Sequence, residues 1–467
     1  MLQGIYSLLL FAAPLVLSVF GSGVFFLFVF ATAGLPGSVF GEATRAFFGS
    51  LEGMGPSALK LMGAMAGAFV VFAMNPSRAG ARPSRFAPHA FFLFFCVLAV
   101  AWSSSFVFGF RMLAKVAAPF LFMVGIYTSP RQRLSATALE KAAMVSCWGL
   151  LIYGFAGFFA SHAGFVTSRL HLAGYLTAPH VSPAPFSFHM ACGALITLAA
   201  YLSGKGKKYL GFFMVFTLAV FWANTRISMA GIIVASSVCF FLLSRNRAAK
   251  VLVPLLLVIA FTTAVFTVDR LSSRFFKQPD EMSLSSIVSS PGSLASKVPL
   301  SGRGKAWEAA IDRFFVDSPM IGSGLGATQD WFYGNNSNRV GVLHSEYLRL
   351  LCETGVFGIL LFLVVVVYYV AALLRVFARA GELEGPEAAD LKKYAALGLS
   401  MLVLYLVTMA TDNSIDYVFY IGLYAFGFVA LAFRHSDIDA QAAEPARTRD
   451  RPWLATARRA GLLEDGA

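Results

Sequence analysis

The sequence carries little charge for its length. Only 13% of its 467 residues are charged, whereas 58% are hydrophobic and the mean hydropathy is +0.70. A soluble protein of this size would have about twice that charged fraction, so a soluble fold is excluded. The apolar runs are mostly about 17 to 25 residues long, which suits helices that cross a bilayer and is too long for barrel strands. The sequence therefore predicts an all-α polytopic membrane protein.

Cysteine pairs and metal-ligand patterns are also missing. The five cysteines lie in or beside hydrophobic runs, no CxxC pair occurs, and the histidines show no HExxH or HxxxH spacing. We expect buried thiols, no disulfide, no metal and no cofactor. The first residues lack the basic region of a cleaved signal peptide, so the first apolar run is expected to be a retained membrane span.

The basic residues do not form a domain of their own. The formal net charge is +13, but the lysines and arginines occur in short clusters between the apolar runs. Such clusters are typical of cytoplasmic loops, so they indicate topology rather than a nucleic-acid partner. The apolar runs predict twelve transmembrane helices, near 5–33, 57–74, 89–103, 105–126, 138–160, 186–203, 208–223, 226–243, 251–268, 346–374, 393–411 and 415–433.

The basic clusters fall in alternate loops of this twelve-span arrangement. Both termini are therefore expected in the cytoplasm, with the long polar segment between spans nine and ten on the outer side. The predicted organisation is nine spans in 1–268, an outer loop in 269–345, three spans in 346–433, and a tail in 434–467. The tail is rich in Ala, Arg and acidic residues, and we expect it to be disordered.

The outer loop contains a predicted amphipathic helix. Trp307, Ile311 and Phe314 recur at i, i+4 and i+7, and this spacing places them on one helical face. We expect that face to lie along the membrane, with Trp307 at headgroup depth and Lys305 on another side of the helix. Arg303 shares the face with Trp307, where it would bind a lipid-borne phosphate or an ordinary phospholipid headgroup.

Two further strings in the loop offer polar chemistry. In PMIGSGLG, Gly322 and Gly324 would allow backbone N–H groups to cradle a phosphate, although most such strings are simply turns. His344 precedes a predicted helix, where it would deprotonate a hydroxyl or only form interfacial hydrogen bonds. In that helix, Arg349 and Glu353 are spaced i, i+4 and are expected to pair.

Other candidates lie at the outer ends of the predicted spans. Arg226 begins span eight in the string NTRISMAG. Its guanidinium group suits a phosphate, and snorkelling to the interface is the alternative. The remaining candidates are Arg111 and Lys115 in span four, Arg169, His171 and His180 in the loop 161–185, and Asp412, Asn413 and Asp416 before span twelve.

The strings SGRGKAW, PMIGSGLG and HSEYLRLLCETGVFG occur in this order in an outer loop that leads into a membrane helix. Together with TRISMAG, they resemble the O-antigen ligase and polymerase superfamily, most strongly over 220–365. The rest of the chain is similar to the family only in topology. One departure is Ser345, where the family often has Asn, and this departure puts one supporting hydrogen bond in question.

The resemblance implies a GT-C-like fold in the bacterial inner membrane, with the active site facing the periplasm. It implies an inverting glycosyltransferase whose donor is an undecaprenyl-diphosphate-linked glycan. Arg226 and Arg303 would hold the diphosphate, and His344 would orient or deprotonate the acceptor hydroxyl. Residues expected to contact substrate are Arg111, Lys305, Trp307, Gly322, Gly324, Arg169 and Asp412.

Three functions remain open at this point. An O-antigen ligase, which we favour, would attach the glycan to lipid A-core. A Wzy-type polymerase of O-antigen or exopolysaccharide would extend a lipid-linked repeat unit instead. A transporter or flippase is disfavoured because many transporters have two related halves joined by a central cytoplasmic loop, whereas the large loop predicted here is outer and off-centre. Membrane lipids are expected partners in each case.

Overall fold

A computed structural model describes residues 2–35, 56–74, 83–165, 169–179, 181–268, 271–272, 275, 303–334 and 343–449. These residues form helices and contain no strand. The helices are α1 Leu2–Val19, α2 Ser22–Ala31, α3 Pro56–Met74, α4 Ala87–Ala101, α5 Phe106–Thr128, α6 Ala136–His162, α7 Pro183–Leu202, α8 Lys208–Ala223, α9 Arg226–Leu243, α10 Arg247–Thr267, α11 Arg303–Ala310, α12 Ala327–Gly334, α13 Glu346–Ala380, α14 Pro386–Met409 and α15 Leu423–Arg449.

Most of these helices are long and apolar. In the described part of the chain, nine of them could cross a membrane by length and composition, and Ser22–Ala31, Lys60–Met74 and Lys208–Ala223 are shorter apolar helices. The prediction of an all-helical polytopic membrane protein is confirmed. The total of twelve spans and the position of the long loop relative to the membrane stay predictions.

The first apolar run contains two helices. The chain breaks at Gly21, whose φ of 120° is accessible to glycine and rare for other residues. The sequence marks this position, because Pro14, Gly21 and Gly23 interrupt the long run 5–33 and leave its span count open by one.

The two helices form a hairpin. Gly63 of α3 lies against the backbone of Phe11, and Gly67 lies against Pro14, so α1 and α3 run in the same direction. Lys60 Nζ donates to the carbonyl of Thr32 over 3.0 Å, which places the end of α2 beside the start of α3. In the predicted topology α3 begins on the outer side. A parallel α1 begins at the same end of the bundle as α3. The side of the membrane on which each terminus lies stays a prediction.

Contacts show which helix ends and loops lie together at each end of the bundle. At one end, Lys393 Nζ lies 2.8 Å from Glu140 Oε2, and both residues belong to predicted cytoplasmic ends of helices. At the other, the Leu325 N–H donates to the Ala99 carbonyl over 3.0 Å, which joins the long loop to the turn between α4 and α5.

The last helix extends beyond its predicted end. Arg434 is buried and donates from Nη1 to the Ser129 carbonyl over 3.2 Å. Asp437 accepts from the Tyr127 hydroxyl over 2.6 Å. Residues 434–437 therefore pack against the end of α5, and α15 continues to Arg449. The disorder expected of the tail stays a prediction. Residues 450–467 lie outside the described residues.

Helix α13 is longer than a bilayer requires. Its 35 residues rise about 52 Å at 1.5 Å per residue, against a hydrocarbon core of roughly 30 Å. Gly355 interrupts it with φ 67° and ψ −171°. The segment 346–354 is therefore a separate outer part of α13, and it carries the start of the HSEYLRLLCETGVFG string.

Candidate active site

Residues 410–417 connect α14 to the last helix, and we call them the 410–417 segment. Asp412, Asn413 and Ser414 are buried in it. The Asp412 carboxylate accepts from the Asn413 N–H over 2.8 Å, and the Ser414 hydroxyl donates to Thr408 Oγ1 over 2.8 Å. These local bonds fix a polar, non-helical turn at the end of the bundle.

Arg303 contacts this segment. It is the first residue of α11, and its Nη1 donates to the Thr411 carbonyl over 2.6 Å. The side chain is half-buried. One end of the guanidinium group is therefore anchored on the 410–417 segment, although the two residues are far apart in sequence.

His344 contacts the same segment through Asn413. The His344 N–H donates to Asn413 Oδ1 over 3.1 Å, and Asn413 Nδ2 lies 3.4 Å from His344 Nδ1. Asp412 Oδ1 lies 3.8 Å from the same ring nitrogen. Because Oδ1 of Asn413 is occupied by the backbone, its N–H₂ group faces Nδ1. This hydrogen-bond pattern assigns Nδ1 as the acceptor and places the proton of a neutral ring on Nε2.

Trp307 fixes the residue before His344. Its Nε1 donates to the Leu343 carbonyl over 2.7 Å. Trp307 packs with Phe314 and Leu343 in a small apolar cluster of the loop, in which Phe314 is only 7% exposed. Trp307 and Phe314 therefore face other residues of the loop, because periodicity identifies an apolar face and not what covers it. The placement of α11 along the membrane stays a prediction.

The glycine string packs against the break in α13. Gly322, Gly324 and Gly326 have φ of 71°, 97° and 83°, and a Cβ on any of them would lie 2.4 Å from another backbone atom. The Gly324 N–H donates to the Glu353 carbonyl over 3.0 Å, and the Gly326 N–H donates to Glu353 Oε2 over 2.8 Å. These N–H groups bind protein acceptors. The geometry therefore favours the turn over the phosphate cradle.

The expected pair between Arg349 and Glu353 does not form. Arg349 Nε instead donates to Glu346 Oε2 over 2.7 Å, one turn earlier. Glu353 accepts from the Gly326 N–H and the Thr328 hydroxyl. The i, i+4 prediction was wrong because Arg349 pairs with Glu346 one turn earlier and with Asp416, whereas Glu353 binds residues of the long loop.

Asp416 joins three elements of the outer end. Its Oδ1 lies 2.8 Å from Lys115 Nζ of α5 and 3.4 Å from Arg349 Nη1 of α13. Burial alone would raise the pKa of Asp416, but Arg349 and Lys115 outweigh it and lower the pKa to about 2. The Ile415 N–H adds a bond to Glu346 Oε1 over 3.0 Å. These charges hold the 410–417 segment in place.

Arg226 begins α9 at the same end of the bundle. It follows Asn224, whose φ of 55° makes the tight turn after α8. Gly231 of α9 packs against Leu404 and Thr408 near the end of α14. Arg226 is five residues earlier, about 7.5 Å along the helix, which puts it at the depth of the 410–417 segment. Its side chain is half-buried.

Arg111, Lys305 and Arg169 have less defined surroundings. Arg111 is one helical turn from Lys115, and its Cζ lies 5.2 Å from the centre of the Phe108 ring. Lys305 is exposed on α11. Arg169 begins the one-turn helix Arg169–Leu172, and its side chain lies outside the described residues.

His171 of the loop 161–185 does not join the site. His171 is fully buried, and its two ring nitrogens lie 2.8 Å from Ser161 Oγ and 2.8 Å from the Thr177 carbonyl. This is a structural hydrogen-bonding role. His180 lies outside the described residues. The described residues contain no group of His, Cys, Asp and Glu side chains that could hold a metal ion, and all five cysteines are buried, as predicted.

The sequence identified Arg303 and His344 but gave little weight to Asn413, which holds His344. The available signal was the string TDNSID between two apolar runs, since polar residues at the end of a membrane helix are functional candidates by default. Ser345, the departure from the family pattern, has a clear role. Its Oγ accepts from the Leu348 N–H over 3.4 Å and caps α13.

Part of the chain matches a known protein family. Residues 210–363 match a family model described as O-antigen ligase. The matched range contains Arg226, the described part of the long loop, His344 and the outer part of α13. A comparison with curated proteins gives no match. The match supports the family resemblance predicted from the sequence.

Proposed function

We propose that this chain, which belongs to the O-antigen ligase and polymerase superfamily, is an inverting glycosyltransferase of the bacterial inner membrane. It moves a glycan from undecaprenyl diphosphate to an acceptor hydroxyl on the periplasmic side. The observation that carries the proposal is the convergence of Arg303 and His344 on the 410–417 segment, through Thr411 and Asn413. Arg226 begins α9 at the same depth.

The two arginines suit the diphosphate of the donor. Guanidinium groups bind phosphate oxygens through paired N–H donors, and they do so strongly where water is restricted. Arg303 is held by the Thr411 carbonyl and Arg226 by the start of a helix. Negative charge grows on the diphosphate as its bond to the anomeric carbon breaks, so fixed positive groups lower the barrier. Arg111 adds positive charge nearby.

His344 acts on the acceptor in this proposal. Because Asn413 donates toward Nδ1, a neutral ring offers its Nε2–H to an oxygen, and this favours orientation of the acceptor over its deprotonation. The acceptor oxygen attacks the anomeric carbon from the face opposite the diphosphate. The diphosphate leaves with the bonding electrons, and the hydroxyl proton passes to water on the acceptor side.

The acceptor defines the activity. We infer a ligase, whose acceptor is lipid A-core, because the long interfacial loop resembles that branch of the superfamily. A Wzy-type polymerase would use a lipid-linked repeat unit at the same site. Transport remains the alternative of another class, and it predicts no covalent product.

One experiment separates these functions. Purified protein receives a lipid-linked glycan donor and either lipid A-core or further lipid-linked repeat unit, with EDTA present, since no metal is expected. A ligase forms glycosylated lipid A-core only. Longer lipid-linked chains alone would identify a polymerase. The absence of both products would contradict the transferase proposal.

A further inference from the structure

An apolar groove lies between α8, α9 and α10. Its volume is about 190 Å³, and its walls include Phe213 and Phe221 of α8, Ile232 and Ile233 of α9, and Ala260 of α10. The groove residues of α8 lie between two and ten residues from the end that leads to Asn224. The groove therefore extends along the half of the bundle nearest the 410–417 segment.

The groove opens toward lipid because α10 packs loosely. Val265 is the only buried residue of α10, and apolar side chains cover the whole circumference of this helix. Leu255 and Ile259, on the side away from the groove, are 51% and 50% exposed. A helix that is apolar all round and exposed faces hydrocarbon, so a lipid chain can enter the groove sideways from the membrane.

Aromatic rings line the end of the groove nearest the site. Phe221 and Phe261 both line it, with ring centres 6.1 Å apart. Phe275, from the segment after α10, packs against Phe261 with ring centres 5.8 Å apart. Flat ring faces make close contact with the planar double bonds of an isoprenyl chain, whereas a saturated acyl chain has no planar units to match them.

Arg226 lies beyond the end of the groove that is nearest the 410–417 segment. Arg226 and Ile233 are seven residues apart on α9, so they lie on the same helical face, about 10 Å apart along the axis. Ile233 lines the groove. Side chains tilt toward the start of their helix, which directs Arg226 outward from the groove. A ligand that fits both Arg226 and the apolar groove has an anionic head joined directly to an apolar chain.

We propose that this groove binds the first isoprenyl units of a polyprenyl diphosphate whose head lies at Arg226. The inference rests on the proposed function for the identity of the head group. It adds a binding site for the donor's lipid chain, formed by α8, α9 and α10 outside the reacting centre. The alternative that the test must separate is occupation of the groove by an acyl chain of ordinary phospholipid.

The test uses a photoactivatable benzophenone analogue of polyprenyl diphosphate without a glycan. In the wild-type protein, the label is expected on peptides of α8 to α10. Ala260→Phe fills the groove and is expected to lower this labelling at least fivefold. Ile259→Phe adds the same ring to the opposite face of α10 and is expected to leave it unchanged. Unlabelled polyprenyl diphosphate should compete, and a diacyl phospholipid at equal concentration should not.

Three results would overturn the groove: labelling elsewhere, equal labelling of Ala260→Phe and Ile259→Phe, or equal competition by the phospholipid. Glycan transfer is measured on the same variants. A protein that labels as expected but transfers no glycan would retain the groove and refute the proposed function. Normal transfer by Ala260→Phe, with an unchanged KM and unchanged labelling, would refute the groove and leave the proposed function intact.

Discussion

His344 occupies a backbone conformation that few residues adopt. Its φ of 51° is left-handed, which costs a residue with a Cβ about 1–2 kcal/mol. Asn413 offsets this cost with two contacts, one to the backbone N–H and one to the ring. A strained residue held by a buried polar neighbour is a common arrangement at functional sites. The ring position therefore depends on Asn413.

Substitution of Asn413 by Asp tests the role of His344. The carboxylate still accepts from the His344 N–H, but its second oxygen replaces a donor to Nδ1 with an acceptor. This change moves the ring proton to Nδ1 and removes the Nε2–H donor. We expect kcat for glycan transfer to fall about 100-fold or more, the lower end of the effect of one positioned proton-transfer group, with a smaller change in donor KM. Equal or higher kcat in Asn413→Asp, with a shifted pH profile, would identify His344 as a base instead.

At the residue scale, the sequence predicted which side chains matter better than it predicted their contacts. Arg303 and His344 stand in recognisable strings, and the structure brings them to one segment. The contacts of Trp307 and the partners of Arg349 were not predicted, because helical spacing contains no information about elements distant in the chain. Those elements supply Leu343 and Asp416.

At the scale of elements, residues 319–323 of the long loop bind residues 352–356 of α13, and we call this contact the joint. The Ser323 N–H donates to the Cys352 carbonyl over 3.0 Å, and the Val356 N–H donates to the Pro319 carbonyl over 2.8 Å. Gly355 and Gly322 both adopt positive φ at this contact. The joint fixes the outer part of α13 against the long loop, and His344 lies just before that part.

Gly322 tests this joint. It has φ 71° and lies against the backbone of Glu353, so Gly322→Ala is expected to suffer both strain and a clash. Gly204 is the matched control, because its φ is 83° and nothing lies within 4 Å of its Cβ position. We expect Gly204→Ala to lower the free energy of unfolding by about 1 kcal/mol and Gly322→Ala by about 3 kcal/mol or more. Equal melting temperatures for the two variants in detergent would contradict the joint.

The helices themselves were largely predictable, because a membrane span needs a long apolar run. Hydropathy could not show the break at Gly21, since the run is apolar on both sides of it. It also could not show that α15 continues past residue 434. That extension depends on Arg85 and Tyr127, which pair with Asp437 from another part of the chain.

At the scale of the whole molecule, the structure fixes which loops share an end but contains no membrane. The prediction that the long loop faces outward rests on the basic clusters of the opposite loops. All five native cysteines are buried, so an introduced surface cysteine can report its side of the membrane.

Asp317→Cys and Lys207→Cys place such reporters at exposed positions near opposite ends of the bundle. In spheroplasts, a membrane-impermeant maleimide is expected to label Asp317→Cys and to label Lys207→Cys only after permeabilisation. The wild-type protein provides the background. Labelling of Lys207→Cys in intact spheroplasts, with Asp317→Cys protected, would reverse the topology and place the site on the cytoplasmic side.

The most direct test of the account is glycan transfer by purified protein from a lipid-linked donor to its acceptor. We expect His344→Ala and Arg303→Ala to lower the rate at least 100-fold, the scale of losing one group that stabilises the transition state. The controls His162→Ala and Arg313→Ala alter exposed residues outside the site and should retain the wild-type rate. Wild-type transfer by His344→Ala or Arg303→Ala would contradict the proposed active site.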